Sequence, residues 1–122
     1  MFRTEQNTVV AILADLRNIL SRTPTCTKVE TLTVSNAAAV KLNPPANCFL
    51  IKTVLKDSGG TGITYGAAKY SECSTSVASS TNGLNMNTNT LYEIKGANNI
   101  NGFSVISLSG TSYDLDVEYF TY

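Results

Sequence analysis

The sequence predicts a mainly β protein: an antiparallel β-sandwich of jelly-roll or immunoglobulin-like type, with seven to eight short strands and an N-terminal α-helix. Three observations carry this prediction. The chain holds 16 Thr, 12 Ser and 12 Asn among its 122 residues, a bias that favours strands and turns. After residue 25, apolar and polar residues alternate in segments that turn-forming residues separate at intervals of about 8–12 positions. Helical periodicity is found only before residue 24, which argues against a parallel α/β fold.

Length and charge limit what the chain can be. With 43% apolar residues over 122 positions, it is long enough for one domain with its own hydrophobic core. We divide it into an N-terminal helical arm, residues 1–24, and a β-sandwich domain, residues 25–122. Nine Lys and Arg balance nine Asp and Glu. Nucleic acid is therefore not an expected partner, because phosphate binding requires a basic face.

Several enzyme chemistries are excluded by residues that the sequence lacks. It contains no His, so neither a Ser–His or Cys–His nucleophile pair nor an imidazole zinc site can form. A Ser-x-x-Lys motif and a Gly-rich phosphate loop are also missing from the sequence. We therefore expect a protein that is not an enzyme and that uses no metal and no cofactor.

The cysteines and the N-terminal segment bear on where the protein folds. Cys26, Cys48 and Cys73 match no zinc or redox motif in their spacing. Their odd number, with no secretory signal at the start of the sequence, predicts reduced thiols and folding in a host cytoplasm. A disulfide between two of the three is the alternative. No apolar stretch approaches the length of a membrane span, so a membrane is not an expected partner.

The first element is a helix predicted from Glu5 to Ser21, with Thr4 as its N-cap and Pro24 preventing its continuation. Its apolar residues form one broad stripe that follows a heptad pattern. Either this stripe packs on the chain's own β domain, or it packs against copies of itself or a neighbouring subunit. The second alternative makes the stripe an interface, consisting of Phe2, Val9, Ile12, Leu13, Leu16, Ile19 and Leu20.

Eight strands follow from the alternating segments. The clearest is Cys48–Lys56, in which Phe49, Ile51, Thr53 and Leu55 share one face. We expect a tight hairpin loop at Asp57–Gly62, loops at Ser74–Asn82 and Gly96–Gly102, and weak structure at Asn85–Asn89. The predicted strands are Lys28–Val34, Ala38–Leu42, Cys48–Lys56, Ile63–Tyr65, Lys69–Cys73, Leu91–Lys95, Phe103–Leu108 and Tyr113–Tyr122.

The last strand has two distinct faces. Its alternation places Tyr113, Leu115, Val117 and Tyr119 toward the core, and Asp114, Asp116, Glu118, Phe120 and Tyr122 away from it. We interpret the three carboxylates as a solvated face paired with Lys52 and Lys56. A Ca²⁺ site and a pair of sugar-hydrolysing acids are the alternatives. Phe120 and Tyr122 stand on this polar face, which makes them interface residues rather than core residues.

The tyrosines and asparagines raise the question of glycan binding. Most of the tyrosines are expected to pack in the sheets with the hydroxyl at the rim, although an exposed Tyr beside Asn can also stack on a sugar ring. The loops Asn82–Asn89 and Asn98–Asn101 fit ordinary turn chemistry, because Asn tolerates the left-handed region. Recognition of a glycan by these loops is the alternative.

Several short segments resemble, in their order, small virion proteins of tailed bacteriophages. The segments are Thr31–Val34, Ala39–Leu42, Gly62–Gly66, Asn82–Leu84, Leu91–Ile94 and Asn101–Val105. The resemblance covers about Thr31 to Ile106 and leaves out the N-terminal helix and the last strand. It implies a capsid-decorating, fibre, or head–tail or tail accessory protein, with no catalytic residues to carry over.

These observations together predict a non-enzymatic structural protein of a phage-like virion. It would be folded and assembled in the host cytoplasm and located in the virion. Its expected partners are further copies of itself, as a trimer or other homo-oligomer, and other virion proteins. The alternatives are a carbohydrate- or receptor-binding module, or a pilus or adhesin subunit. The missing signal peptide counts against the pilus and adhesin alternatives.

Overall fold

The computed structural model describes residues 8–14, 16–17, 23–57 and 59–122. Residues 8–14 and 16–17 are helical and are called α1 here, in agreement with the predicted N-terminal helix. The ends predicted for this helix and three residues of its apolar stripe, Phe2, Ile19 and Leu20, lie outside the described residues.

The β domain consists of two four-stranded antiparallel sheets, which confirms the prediction of a mainly β, sandwich-like fold. The first sheet has the order β1-β8-β3-β6 and the second has the order β2-β7-β4-β5. A short helix, α2 (Ala97–Gly102), joins the two sheets between β6 and β7. The strands are β1 (Thr25–Val34), β2 (Val40–Lys41), β3 (Leu50–Lys56), β4 (Ala68–Ser71), β5 (Leu84–Met86), β6 (Leu91–Lys95), β7 (Ser104–Ser107) and β8 (Tyr113–Thr121).

The connections between strands alternate between two opposite ends of the domain. The arm end is the one at which β1 begins and β8 finishes, where Thr25 pairs with Thr121. The other is the distal end, where Val34 pairs with Tyr113. The arm end carries the connections 42–49, 72–83 and 96–103, and the distal end carries the connections 35–39, 57–67, 87–90 and 108–112.

The core lies between the sheets and follows the predicted alternation in the long strands. In β8, Leu115, Val117 and Tyr119 are fully buried, and Tyr113 is nearly so. In β3, buried Ile51 and Leu55 flank buried Thr53, whose hydroxyl donates to the Asp116 carbonyl at 2.9 Å. The second sheet contributes Ala68, Met86 and Val105 to the same cluster. Burial of this set supplies the main stabilising term of the domain.

One predicted hairpin is wrong. Residues 57–67 do not reverse the chain beside β3, and Ile63–Tyr65 is not a strand. This segment instead crosses from β3 in the first sheet to β4 in the second. Both neighbours of β3 are distant in sequence, because it pairs with β6 and β8. Among the strands of the described part, β4 and β5 are the only consecutive ones that pair.

Three smaller predictions also need correction. For Lys69–Cys73 the sequence predicts a brief edge strand, whereas the structure has the central strand β4 there, between β7 and β5. Residues 84–86, at the start of the segment expected to be weakly structured, form β5. The predicted loop Gly96–Gly102 contains the helix α2, anchored by the fully buried side chain of Ile100.

Candidate functional site

The described apolar residues of α1 are exposed. Val9, Ile12, Leu13 and Leu16 lie within about 100° of one another around the helix axis. Their side chains are between 49 and 57% exposed, so the β domain does not cover these four residues of the stripe. Helices in proteins are stabilised mainly by burial of an apolar face. An exposed stripe of this kind is typical of a contact surface for another chain.

A second exposed apolar surface is formed at the arm end by Tyr122 and its neighbours. The Tyr122 ring stacks on Phe49 with 3.9 Å between ring centroids and 4° between ring planes. More than half of the Tyr122 side chain remains exposed. Beside this stack lies a pocket of about 490 Å³, lined by Pro24, Leu50 and Lys95 as well as the two rings.

The pocket joins residues from near the two ends of the β domain. Tyr122 comes from the end of the chain and Pro24 from the root of the arm, yet both line the same pocket. Tyr122, predicted as an interface residue, also has a partner within the chain, the ring of Phe49. Phe49, expected on the core face of β3, precedes that strand and stacks on Tyr122. The Lys52 ammonium lies 5.2 Å from the centroid of the half-buried Phe120 ring.

The carboxylates of β8 stand on the outer face of the first sheet and make structural contacts. Asp116 accepts a hydrogen bond from Thr31 at 2.8 Å and pairs with Lys56 at 2.8 Å. The hydrogen bond from Lys56 is the main reason why the pKa of Asp116 is lowered. Asp114 stands opposite Lys56 in the sheet register, and Glu118 stands opposite Lys52. The described residues contain no group of three or more acidic, Cys or His side chains placed to hold a metal ion.

A partly buried carboxylate, Glu30 on β1, is the centre of a hydrogen-bonded cluster that the sequence alone did not predict. The Tyr119 hydroxyl donates a hydrogen bond to Glu30, and the Asn43 amide N–H also reaches Glu30 at 3.2 Å. Lys28 lies 3.6 Å from the same carboxylate. The available signal was the alternation of β1, because Glu30 shares a face with Leu32 and Val34 and so points toward the core.

A cleft at the arm end of the second sheet, of about 560 Å³, mixes apolar and polar groups. Tyr70 and the well-exposed Leu84 supply its apolar part, and Glu72, Asn82 and Asn99 its polar part. The two amides are engaged with the protein itself. Asn82 donates to the Val77 carbonyl at 3.1 Å, and Asn99 donates to the Lys95 carbonyl at 2.9 Å. Their first role is to shape the loops around the cleft.

The three cysteines have free thiols and differ in environment. Cys48 is buried, and burial raises the pKa of its thiol. Cys73 is exposed, and hydrogen bonding with Thr75 lowers its pKa. Cys26 is exposed near the start of β1, one residue before the irregularity in the β1–β8 ladder.

The distal end displays two apolar side chains on a braced loop. Ile63 and Tyr65 are 49 and 78% exposed. Between them, the Thr64 backbone N–H donates to the hydroxyl of Thr88 at 2.7 Å, and the Thr64 carbonyl accepts from the Thr88 N–H at 3.1 Å. Asn89, in the left-handed region at a φ of 53°, donates to the Gly62 carbonyl at 2.7 Å. The asparagine here serves the turn, as expected for this residue type.

Comparison of the chain with protein-family models, with curated proteins and with solved structures finds no match. Within the part of the chain that the structure describes, no helix combines the length and the apolar character needed to cross a membrane.

Proposed function

We propose that this chain is a non-enzymatic structural protein of a phage-like virion, a capsid decoration, fibre, or head–tail or tail accessory component. It acts in the virion, after folding and assembly in the host cytoplasm, and its partners are copies of itself and other virion proteins. The ordered resemblance of residues 31–106 to small virion proteins of tailed phages supports this class. So does the combination of a helical arm with a β-sandwich.

We further infer that the sandwich is a jelly roll. The pairing is nested, with β1 beside β8, β2 beside β7, β3 beside β6 and β4 beside β5. Such nesting arises when one long antiparallel ribbon of eight strands folds over into two Greek keys. Viral capsid domains and lectin domains are among the proteins that use the jelly roll. The fold alone does not assign a function, so the argument depends on the exposed surfaces.

The single observation that carries the proposal is the exposure of apolar surface at the arm end. Leu16 and the other stripe residues of α1 are about half exposed, and Tyr122 lies beside the pocket that Pro24 lines at the root of the arm. A second copy would remove both surfaces from water, and burial of apolar area and aromatic rings dominates interface energies. The mechanism is binding by shape, and its product is a trimer or other small homo-oligomer.

The outer face of the first sheet also fits a structural role. Lys56 and Asp116 neutralise each other there, and Lys52 lies 4.0 Å from Glu93. Catalytic carboxylates need contrasting environments that separate their pKa values. Carboxylates that alternate along a strand with basic residues across from them do not provide such a contrast.

Two measurements test the proposal. Sedimentation of the intact protein should show a trimer or other small oligomer, and a monomer at high micromolar concentration with no partner present would contradict self-assembly. Mass spectrometry of purified particles from the source of the gene should find the protein at a fixed copy number. Its presence only in the soluble host fraction would remove the virion assignment, whatever its oligomeric state.

A further inference from the structure

We propose that the distal end carries a binding site for an uncharged saccharide, with Tyr65 as its aromatic platform. This inference goes beyond the proposed function, because it concerns the end of the domain opposite to the arm. The site consists of Ile63 and Tyr65 on the loop 59–67, together with the neighbouring loop 87–90.

The exposure of Tyr65 is the first step of the argument. Its side chain is 78% exposed, and it makes no hydrogen bond or ring contact with any described residue. The ring therefore contributes nothing to the core. An aromatic ring with one apolar face and a polar hydroxyl suits a ligand that also has apolar and polar sides. The C–H face and the hydroxyl groups of a pyranose have this character.

The rigidity of the loop is the second step. Thr64, between the two exposed side chains, is held on both its N–H and its carbonyl by Thr88. Thr88 itself is fully buried. The Gly66 N–H also donates to the side chain of Asn87 at 2.9 Å. A side chain displayed on a loop that is already ordered binds at a lower entropic cost, and surface loops held in this way are common binding elements.

The charge of the distal end selects the ligand class. The distal connections 35–39, 57–67, 87–90 and 108–112 contain one charged residue, Asp57, and its carboxylate accepts a hydrogen bond from the Gly59 N–H at 3.1 Å. Thr, Ser and Asn dominate them, and their hydroxyl and amide groups both donate and accept hydrogen bonds. An anionic ligand would find no Lys or Arg on these loops, and their one carboxylate is already bonded to the backbone, whereas electrostatic complementarity is what normally selects charged partners. A neutral saccharide needs only an aromatic face and neutral hydrogen-bonding groups.

The test uses the intact protein on an array of immobilised glycans that includes neutral, sialylated and sulfated structures. We expect retention on neutral glycans, and a loss of roughly tenfold or more in Tyr65→Ala, as for removal of a central aromatic anchor. The matched control is Val29→Ala, which truncates another well-exposed apolar side chain, on the outer face of β1, and should bind as wild type. Asn89→Gly keeps the left-handed turn but removes the hydrogen bond to Gly62, and should weaken binding less than Tyr65→Ala.

Three results would each overturn the inference: no retention on neutral glycans, retention on charged glycans alone, or equal retention by Tyr65→Ala and wild type. Failure of the virion assignment is distinguishable from these, since it is read from particles and sedimentation. A protein receptor is the competing partner class. If no glycan on the array is bound, but both the wild type and Tyr65→Ala capture a purified receptor, the partner is a protein and not a saccharide.

Discussion

At the level of single residues, the hydrogen bonds of Glu30 connect β1 with β8, its neighbour in the sheet, and with the loop 42–49. Burial alone would raise the pKa of Glu30, but hydrogen bonds from Tyr119 and Asn43 outweigh it and lower the pKa. The same contacts act in the opposite direction on the phenol, since burial and the bond to Glu30 raise the pKa of Tyr119. The ionised carboxylate and the neutral phenol are thus the forms that the fold favours.

This cluster predicts a pH dependence of stability. Because the pKa of Glu30 is lower in the folded state, its contribution is present above the unfolded pKa of about 4.3 and is lost as the pH falls through the folded pKa. The free energy of unfolding should therefore fall less between pH 7 and pH 3 in Glu30→Gln than in wild type. Urea denaturation across this range measures the effect. Glu118→Gln is the matched control, because it removes a carboxylate on the outer face of β8 that makes no hydrogen bond or ion pair with any described residue.

The second prediction at the level of single residues concerns Gly83. Its φ is +123°, and a Cβ placed there would lie 2.7 Å from the backbone carbonyl oxygen of Tyr70. Gly83→Ala should therefore cost about 1–3 kcal/mol from backbone strain, with a further cost from the clash. Gly110→Ala is the control, since nothing lies within 4 Å of its Cβ position and its φ is not in the positive range. Thermal unfolding that leaves both variants equal to wild type would contradict this account.

At the level of elements, sequence patterns predicted the strands that have one buried face. β6 has the predicted bounds, and β8 differs by one residue at its end. The prediction of a hairpin at 57–65 was wrong, because glycines and alternating residues also occur in a segment that crosses between sheets. The sequence did not predict α2, because Gly and Asn are poor helix formers. Its turn is stabilised by tertiary burial of Ile100 and by the 3.1 Å bond from the Ile100 N–H to the Gly96 carbonyl.

The candidate surfaces show the same limit of sequence reasoning. The stripe of α1 was predictable because periodicity identifies an amphipathic helix from sequence alone. The pocket at the arm end was not, because it joins Pro24 to Tyr122 across nearly the whole chain. Tyr65 had no special signal, since its exposure depends on the brace that Thr88 and Asn89 provide from another loop.

α1 gives the first prediction at this scale. Leu16→Asp places a charge in the centre of the stripe, which would cost several kcal/mol if that face is buried in the oligomer. Sedimentation should show loss of assembly, while the melting temperature of the β domain should not change. Ala11→Asp introduces the same charge on the opposite side of the helix and should leave assembly intact. Unfolding of the β domain in Leu16→Asp would mean that the stripe belongs to the core.

The second prediction at the level of elements concerns the C-terminal strand β8. Removing residues 120–122 would disturb the sheet as well as the surface, because the Phe120 carbonyl accepts from the Phe49 N–H at 3.2 Å. Tyr122→Ala is the sharper change. It removes a stacked pair worth about 0.5–1.5 kcal/mol, so stability should fall slightly and assembly much more. Tyr65→Ala, which breaks no ring contact among the described residues, serves as the control for both measurements. A large loss of stability with unchanged assembly would assign Tyr122 to folding alone.

At the level of the whole molecule, the proposed subunit contacts and the proposed saccharide site lie at opposite ends of the domain. The apolar surfaces of the arm end suit permanent contact with further subunits, since burial there removes aromatic and aliphatic side chains from water. The loops of the distal end, in which Asp57 is the one charged residue, would remain exposed in such an assembly. Several copies joined at the arm end would present several distal ends together, which raises the apparent affinity for a repeating ligand without any new contact.

The division into residues 1–24 and 25–122 is the last prediction. β1 begins at Thr25, and every described residue of the core cluster lies after that point, from Leu32 onward, so we expect residues 25–122 to hold a core of their own. A protein limited to residues 25–122 should give a β-type circular dichroism spectrum and a cooperative melting transition close to that of the intact chain. It should sediment as a monomer, because the stripe of α1 is missing. If the intact chain is also a monomer and melts at the same temperature as the truncated protein, the arm has no role in assembly. A truncated protein that fails to fold, although the intact chain folds as a monomer, would show instead that the helix completes the domain's own core.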